Sequence, residues 1–148
     1  MPSGEHHHEA GDLPELRGTD ARIKGAPSIW KLYYNGSIGG QAILGLPMVR
    51  RLKQKYGEEM KTWPFETGWG APDLGGVRIL AAEVFTGGAE TKPAAGESKD
   101  QTEIRAYAEQ IAKLDEGGKL GALFAQPKGL GAGEADAARS EEGWILGA

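Results

Sequence analysis

The chain has 148 residues, a formal net charge of −4, 24 glycines and no cysteine. A length of this order favours one domain with a modest core. Without cysteine there are no disulfides, thiolate nucleophiles or thiolate zinc sites, which fits a reducing compartment. No apolar run reaches the roughly 20 residues that span a bilayer, and no basic-then-apolar secretion signal is seen at the N-terminus. We therefore expect a soluble, cytoplasmic protein without a membrane partner.

Charge is distributed unevenly along the chain. Residues 17–61 contain nine basic and three acidic side chains, whereas residues 97–148 contain six basic and ten acidic ones. The net charge argues against a general nucleic-acid coat, although a basic half beside an acidic half fits a polyanion-binding surface next to a metal site. Ordinary solvated faces give the same pattern, so both interpretations stay open.

The chain divides into a predicted disordered tail, residues 1–16, and a single α/β domain, residues 17–148. The tail holds the only histidines of the sequence, His6, His7 and His8. A short histidine tract either binds metal or belongs to a mobile tail. Because no histidine follows, the body of the domain has no histidine general base and no histidine metal ligand.

The first half of the domain reads as strand, turn and helix. The apolar and aromatic run at residues 26–34 predicts a strand. A glycine-rich turn at residues 35–41 leads into a helix that Gly57 ends, with Pro47 expected in its first turn. Backbone N–H groups in such a turn either bind a phosphate or form a tight strand-to-helix connection. The candidate anion or nucleic-acid residues are Gly36, Ser37, Gly39, Gly40, Arg50, Arg51 and Lys53.

The second half predicts two strands followed by helices. The strands cover residues 60–66 and 77–85, and the second is the clearest buried strand of the sequence. A long helix begins at Asp100, where Asp100 and Glu103 resemble a capping box, and Gly117 ends it. The remaining predictions are a short helix near residues 120–124, a flexible stretch at residues 129–135 and a helical turn at residues 136–142.

Carboxylates are the chemistry that remains, because no serine lies in a G-x-S-x-G elbow and cysteine is absent. Glu83 stands inside an apolar strand, where a lone charge is costly unless it is paired, solvated or bound to a cation. It therefore lies near a cleft, pairs with a base such as Arg78, or holds a metal. Glu66 and Asp136 are further candidates, and clusters of oxygen ligands suit Mg²⁺ or Mn²⁺.

Several motifs resemble a bacterial family that is related to predicted nucleases with an RNase H-like fold. The motifs are PSIWKL, GSIGGQAILGLPMVRRL, TWPFETG, AAEVF, KDQTEIRAYAEQIAKLD and EEGWILG, which together span about Arg17 to Gly147. The chain is similar to the C-terminal half of that family, whose first strands and leading aspartate have no counterpart here. It also has Thr86 and Gly87 where relatives have Pro-Ser.

The resemblance implies a partial RNase H-like fold, with a small sheet packed against helices and the N-terminal strands missing. By the same resemblance, Glu83 and Asp136 are the catalytic and metal-binding carboxylates of a metal-dependent phosphodiesterase or nuclease. The rival interpretation is a non-catalytic structural or interaction domain, because missing strands leave a sheet edge open. A homo-oligomer or a protein partner would complete that sheet.

Overall fold

A computed structural model describes residues 14–33, 37–87, 91–93 and 95–148 of the chain. The described residues form a mixed α/β structure with a small sheet, as predicted, and the two strands of this sheet are parallel. Four α-helices, two strands and three shorter helical turns follow one another along the chain. In order they are α1 (Gly18–Arg22), α2 (Gly39–Tyr56), a 3₁₀ turn (Gly57–Glu59), β1 (Met60–Thr62), β2 (Ile79–Ala81), α3 (Lys99–Glu116), a 3₁₀ turn (Leu120–Phe124), α4 (Ala132–Ala137) and a π-helical turn (Ala138–Glu142).

The sheet is shorter than the sequence predicts. Strands β1 and β2 pair in parallel, with Met60 opposite Ile79 and Thr62 opposite Ala81. Beyond β2, Glu83 forms an isolated parallel bridge with Ile145, so the C-terminal segment takes the place that β1 leaves when it turns away. Residues 63–66, which the apolar pattern assigns to the first strand, form turns instead.

The core gathers aromatic side chains from distant parts of the chain. Trp63, Phe124 and Trp144 are buried, and Trp69 packs against them. Their rings meet edge to face, with centroids 5.5 Å apart for Trp63 and Trp69 and 5.7 Å apart for Trp69 and Trp144. This geometry sets the positive edge of one ring against the negative face of the next. Trp30, by contrast, is largely exposed and does not belong to this core.

The strand predicted at residues 26–34 is wrong for the part that the structure describes. The hydroxyl of Ser28 accepts a hydrogen bond from Trp30 N–H and donates one to the carbonyl of Glu15. Serine bonds of this kind offer the backbone a turn instead of a sheet ladder. Side-chain chemistry at one residue therefore overrides the apolar run, and Tyr34 lies outside the described residues.

Helix α2 is confirmed at its C-terminal end and begins earlier than predicted. Gly57 ends it with a φ of 52°, which a glycine adopts without strain. The start at Gly39 places Pro47 inside the helix and not in its first turn. A proline there leaves the carbonyl four residues earlier without its helical donor. The surrounding turns are solvent-exposed, so water can satisfy that carbonyl.

Two local predictions in the second half need correction. The N-cap of α3 is Ser98, whose hydroxyl accepts from Gln101 N–H while the Gln101 side chain accepts from Ser98 N–H. Asp100 lies within the first turn of α3 and is not the cap. The stretch at residues 129–135 contains the start of α4, and Ala135 is buried there. The 3₁₀ turn Leu120–Phe124 confirms the short helix predicted at that place.

The described helices do not include a candidate membrane span, since none combines the necessary length with sufficient apolar character. The proposed boundary between a tail and a domain falls close to the start of the described residues, and residues 1–13, with His6, His7 and His8, lie outside them. Residues 14–16 pass close to the segment before α2, because the carbonyls of Pro14 and Glu15 accept hydrogen bonds from Trp30 and Ser28.

Two glycines of α2 give a matched test of this packing. A Cβ at Gly39 would collide with the carbonyl oxygen of Ile29, whereas a Cβ at Gly45 would meet no atom within 4 Å. We expect Gly39→Ala to lower the free energy of unfolding by about 1–3 kcal/mol through overpacking. Gly45→Ala should raise it by about 0.5–1 kcal/mol, because alanine is the better helix former. Urea unfolding measures both, and equal effects would contradict the packing at Gly39.

Candidate functional site

A buried arginine joins three separate parts of the chain. The Arg17 side chain, 5% exposed, donates five hydrogen bonds. Two reach Asp20, two reach both carboxylate oxygens of Glu83 at 2.7 and 2.8 Å, and one reaches the carbonyl of Glu142. A guanidinium has five N–H donors, so its hydrogen-bonding capacity is fully used. Fork-to-fork pairing of this kind fixes direction as well as distance.

The short helix α1 holds Arg17 in place. Backbone N–H groups at its start bind carboxylates, Arg17 N–H to Asp20 at 3.2 Å and Gly18 N–H to Glu142 at 3.2 Å. The buried hydroxyl of Thr19 accepts from Ile145 N–H at 3.0 Å. Since α1 has only five residues, these contacts with the C-terminal segment, more than its own helical bonds, keep it ordered.

The charges around Arg17 do not balance. Asp20, Glu83 and Glu142 contribute three formal negative charges against one positive charge. Burial by itself lowers the pKa of Arg17, but hydrogen bonds and attraction from Glu83 and Asp20 outweigh it and raise that pKa above its ordinary value. Arg17 therefore keeps its positive charge, and by formal charge the three carboxylates exceed it by two.

The structure explains how Glu83 is accommodated in an apolar strand. Glu83 is paired with a basic side chain, which is one of the predicted alternatives. The basic side chain is that of Arg17 and not that of Arg78, which the prediction named. Arg78 instead binds the exposed carboxylate of Glu59 at 3.0 Å. The Glu83 side chain is 37% exposed, so its carboxylate lies between the buried guanidinium and solvent.

Glu66 is bound to its own neighbourhood. Its carboxylate accepts from Lys53 at 2.6 Å and from both the N–H and the hydroxyl of Thr62. Burial raises the pKa of a carboxyl group, but here the bonds from Lys53 and Thr62 prevail and lower the pKa of Glu66 to about 2. Lys53, predicted to face nucleic acid, is thereby occupied with Glu66 and with the carbonyl of Met60.

Asp136 lies at the exposed surface of α4, where its side chain is 69% exposed and pairs with Arg139 at 3.1 Å. Among the residues that the structure describes, no group of three or more acidic or histidine side chains is arranged to hold a metal. Glu66, Glu83 and Asp136 thus each have a separate basic partner. A metal site built from these three residues stays a prediction without support from their geometry.

The glycine-rich turn serves packing at one of its predicted positions. Gly39 is buried against residues 29–32, and its N–H donates to the carbonyl of Lys31 at 3.3 Å, so this N–H is not available to an anion. Gly36 lies outside the described residues, while Ser37 and Gly40 precede and enter α2. Arg50 and Arg51 are exposed on α2. Anion or nucleic-acid binding at these positions stays a prediction.

Sequence reasoning missed Arg17, Asp20 and Glu142 as members of the cluster. The local signal was present, since Arg17 and Asp20 stand three residues apart around a helix start. Nothing local links that pair to Glu83, 66 residues away, or to Glu142, 125 residues from Arg17. Only tertiary packing brings Glu83 and Glu142 to Arg17 and Asp20.

The outer edge of β1 is closed by the chain itself. Its outward residues are Met60 and Thr62, because Trp63 N–H donates to β2 at Ala81. Met60 N–H donates to Gly57 and its carbonyl accepts from Lys53. Thr62 N–H donates to the Glu66 carboxylate and its carbonyl accepts from Glu66 N–H, both at 2.8 Å. A further strand therefore finds no free backbone group on this side.

On the outer side of β2 and of residues 82–84, which follow it, the described part of the chain provides no hydrogen-bond partner for the backbone, and we call this side the open edge. Ala81 accepts from Trp63 and Glu83 accepts from Leu146, so these alternate residues face β1 and the C-terminal segment. Leu80, Ala82 and Val84 consequently face the other way, since a strand alternates its hydrogen-bonding side. Within residues 14–33, 37–87, 91–93 and 95–148, no hydrogen bond to the outward N–H or C=O groups of these three residues is found.

Compared with known proteins, the chain matches no family model, no curated sequence and no solved structure. The similarity to an RNase H-like family therefore stays a prediction from motifs. The geometry of the Arg17 cluster and of the two sheet edges carries the functional argument.

The Arg17 cluster can be tested by removing one partner. We expect Arg17→Ala to lower the free energy of unfolding by about 3–5 kcal/mol, because it leaves carboxylates at a buried site without their counter-charge. Arg78→Ala is the matched control, since the pair that Arg78 forms with Glu59 is exposed and should contribute at most about 1 kcal/mol. Similar losses in chemical denaturation for both variants would contradict a structural role that is special to Arg17.

Proposed function

We propose that this chain is a non-catalytic interaction domain that pairs its sheet with another chain along the outer edge of β2. The single observation behind the proposal is the contrast between the two edges, β1 being closed by Lys53 and Glu66 and β2 being open at Leu80, Ala82 and Val84. Proteins usually protect a sheet edge with charges or covering segments, because an unprotected edge is a template for another strand.

The composition of the sheet supports the same conclusion. Parallel sheets are normally covered on both faces and contain more than two strands, since a two-stranded sheet is marginal by itself. Here the described part of the sheet has two strands of three residues each. Leu80 and Ala82 already pack against the aromatic core. An added strand would therefore widen a sheet that already has one face packed against this core.

Helix α2 adds exposed apolar surface to this picture. The residues around its middle present large apolar side chains to solvent, and Leu44 is 77% exposed. The others are Ile43, Leu46 and Met48. Several large apolar side chains exposed on one helix favour a surface that another molecule covers.

A metal-dependent phosphodiesterase with an RNase H-like fold is the second candidate. The observation that favours it is the excess of two negative charges around Arg17. Each carboxylate oxygen has two lone pairs, so Arg17 leaves Glu83 with acceptor capacity toward solvent. Glu83 and Glu142 would hold a Mg²⁺ or Mn²⁺ ion, which would supply positive charge to a phosphate and activate a water.

The interaction proposal predicts an effect of charge at the β2 edge. Val84 is 43% exposed at that edge, and Leu74 is 48% exposed in the loop before β2. We expect the wild-type protein and Leu74→Lys to self-associate as concentration rises, because an open edge pairs when strands meet. Val84→Lys should remain monomeric, because a lysine at an edge strand opposes pairing. Light scattering coupled to size exclusion measures the mass.

A wild-type protein that stays monomeric at all accessible concentrations, with the amides of Leu80, Ala82 and Val84 exchanging freely with solvent, would contradict the interaction proposal. The measurement is hydrogen exchange resolved to single amides. The amides of Ile79 and Ala81, inside the ladder with β1, provide the internal reference.

The catalytic candidate predicts Mn²⁺-dependent cleavage of DNA or RNA that a chelator stops. Glu83→Gln should reduce the rate about 100-fold, in line with the loss of a metal ligand or its support. Glu59→Gln is the control, since Glu59 lies in an exposed pair away from Arg17. Circular dichroism must show that the variants remain folded. Absence of cleavage, or cleavage that Glu83→Gln leaves intact, removes the candidate.

A further inference from the structure

The residues of the open edge are complementary to themselves. Because a strand alternates its hydrogen-bonding side, the pairing of β2 with β1 and the bridge at Glu83 turn the backbone groups of Leu80, Ala82 and Val84 outward, and these three residues alternate over five positions. In an antiparallel pair, two residues that lie opposite each other and face inward exchange both of their N–H···O bonds. A second copy of the same edge, related by a two-fold axis, offers the same three residues in reverse order.

We propose that the outer edge of β2 pairs with the same edge of a second copy, antiparallel and centred on Ala82. This inference rests on the proposed interaction function and specifies its partner. Ala82 lies opposite Ala82 of the partner subunit, and Leu80 lies opposite Val84 of the partner subunit. All three outward residues then exchange both bonds, and the two sheets become one sheet of four strands.

Charge and side-chain size select this register. Moving the two-fold axis from residue 82 to residue 83, so that residue 83 faces residue 83 of the other copy, sets two glutamates directly opposite each other, which is destabilising. In the Ala82 register Glu83 faces an alanine, position 81 of the second copy, and no like charges meet. Ala82, the smallest side chain of the open edge, lies on the two-fold axis. There the two copies of this residue are direct neighbours, so a small side chain avoids crowding.

A two-fold dimer also agrees with the asymmetry between the two edges. A closed two-fold pairing uses one edge from each copy and needs no second open edge. The closed edge of β1, with Lys53 and Glu66 on its backbone groups, then forms each outer boundary of the four-stranded sheet. Pairing stops at two copies and does not continue into a fibre.

The absence of cysteine from the sequence makes the register directly testable. Residues opposite each other in a hydrogen-bonded antiparallel pair have Cα atoms about 5.5 Å apart, within the range of a disulfide. We expect Ala82→Cys to form a disulfide-linked dimer under oxidation. Leu80→Cys and Val84→Cys should each stay unlinked when alone, because equivalent positions lie about four residues apart along the strands. An equimolar mixture of the two variants should link.

A non-reducing gel detects the disulfide-linked dimer. Light scattering in reducing buffer measures the mass of the assembly without the disulfide. Thermal unfolding in the same buffer shows that each variant is folded. The matched control is Ala112→Cys, an exposed alanine of α3, which should stay unlinked. We expect a mass of twice the monomer for the wild-type protein, and Val84→Lys should raise the dimer dissociation constant by about tenfold or more.

The outcomes separate this inference from the function on which it rests. An assembly that Val84→Lys disperses, but in which Ala82→Cys does not link or Leu80→Cys links with itself, overturns the register and leaves the edge interaction in place. A wild-type protein that is monomeric at all concentrations overturns the self-pairing, and free exchange of the amides of Leu80, Ala82 and Val84 in that monomer overturns the proposed function as well. A dimer that Val84→Lys leaves intact places the contact elsewhere and also overturns both.

Discussion

The five hydrogen bonds of Arg17 are the constraint on which the arrangement of this chain depends. They tie the start of α1, the residue after β2 and the last helical turn into one cluster. A buried guanidinium is tolerated only when its donors are satisfied, and here two carboxylates and a carbonyl satisfy all of them. The aromatic core at Trp63 and Trp144 lies beside this cluster, since a Cβ at Gly18 would be 3.4 Å from the Trp144 ring. The hydrogen bonds of Arg17 and the packing of the core therefore depend on the same arrangement of chain segments.

The same cluster positions the surface that we propose as functional. Because Arg17 holds Glu83, and Glu83 bridges to Ile145, the C-terminal segment occupies the β1 side of β2 beyond Ala81. The other side of β2 has no hydrogen-bond partner among the residues that the structure describes. The contrast with β1, whose backbone groups are bound by Lys53 and Glu66, explains why strand addition is expected at one edge of the sheet only.

An ion pair with Arg17 and a catalytic role place different demands on the carboxylate of Glu83. As a partner of Arg17 it is part of the framework, and its contribution comes from geometry and charge within the protein. As a metal ligand it would need to share its outward lone pairs with a cation while Arg17 keeps the inward ones. The structure supports the first role with measured contacts, whereas the second rests on the excess negative charge and on the resemblance to nucleases.

The sequence by itself determined the local elements with strong patterns: the end of α2 at Gly57, the body of α3, and apolar strands at β1 and β2. These follow from periodicity and glycine stops, which act over a few residues. Only the tertiary structure decided the partner of Glu83, the closure of one sheet edge and the turn at Ser28. Each depends on side chains meeting backbone or charge from elsewhere in the chain, and Arg17 finds Glu83 across 66 residues that no local pattern spans.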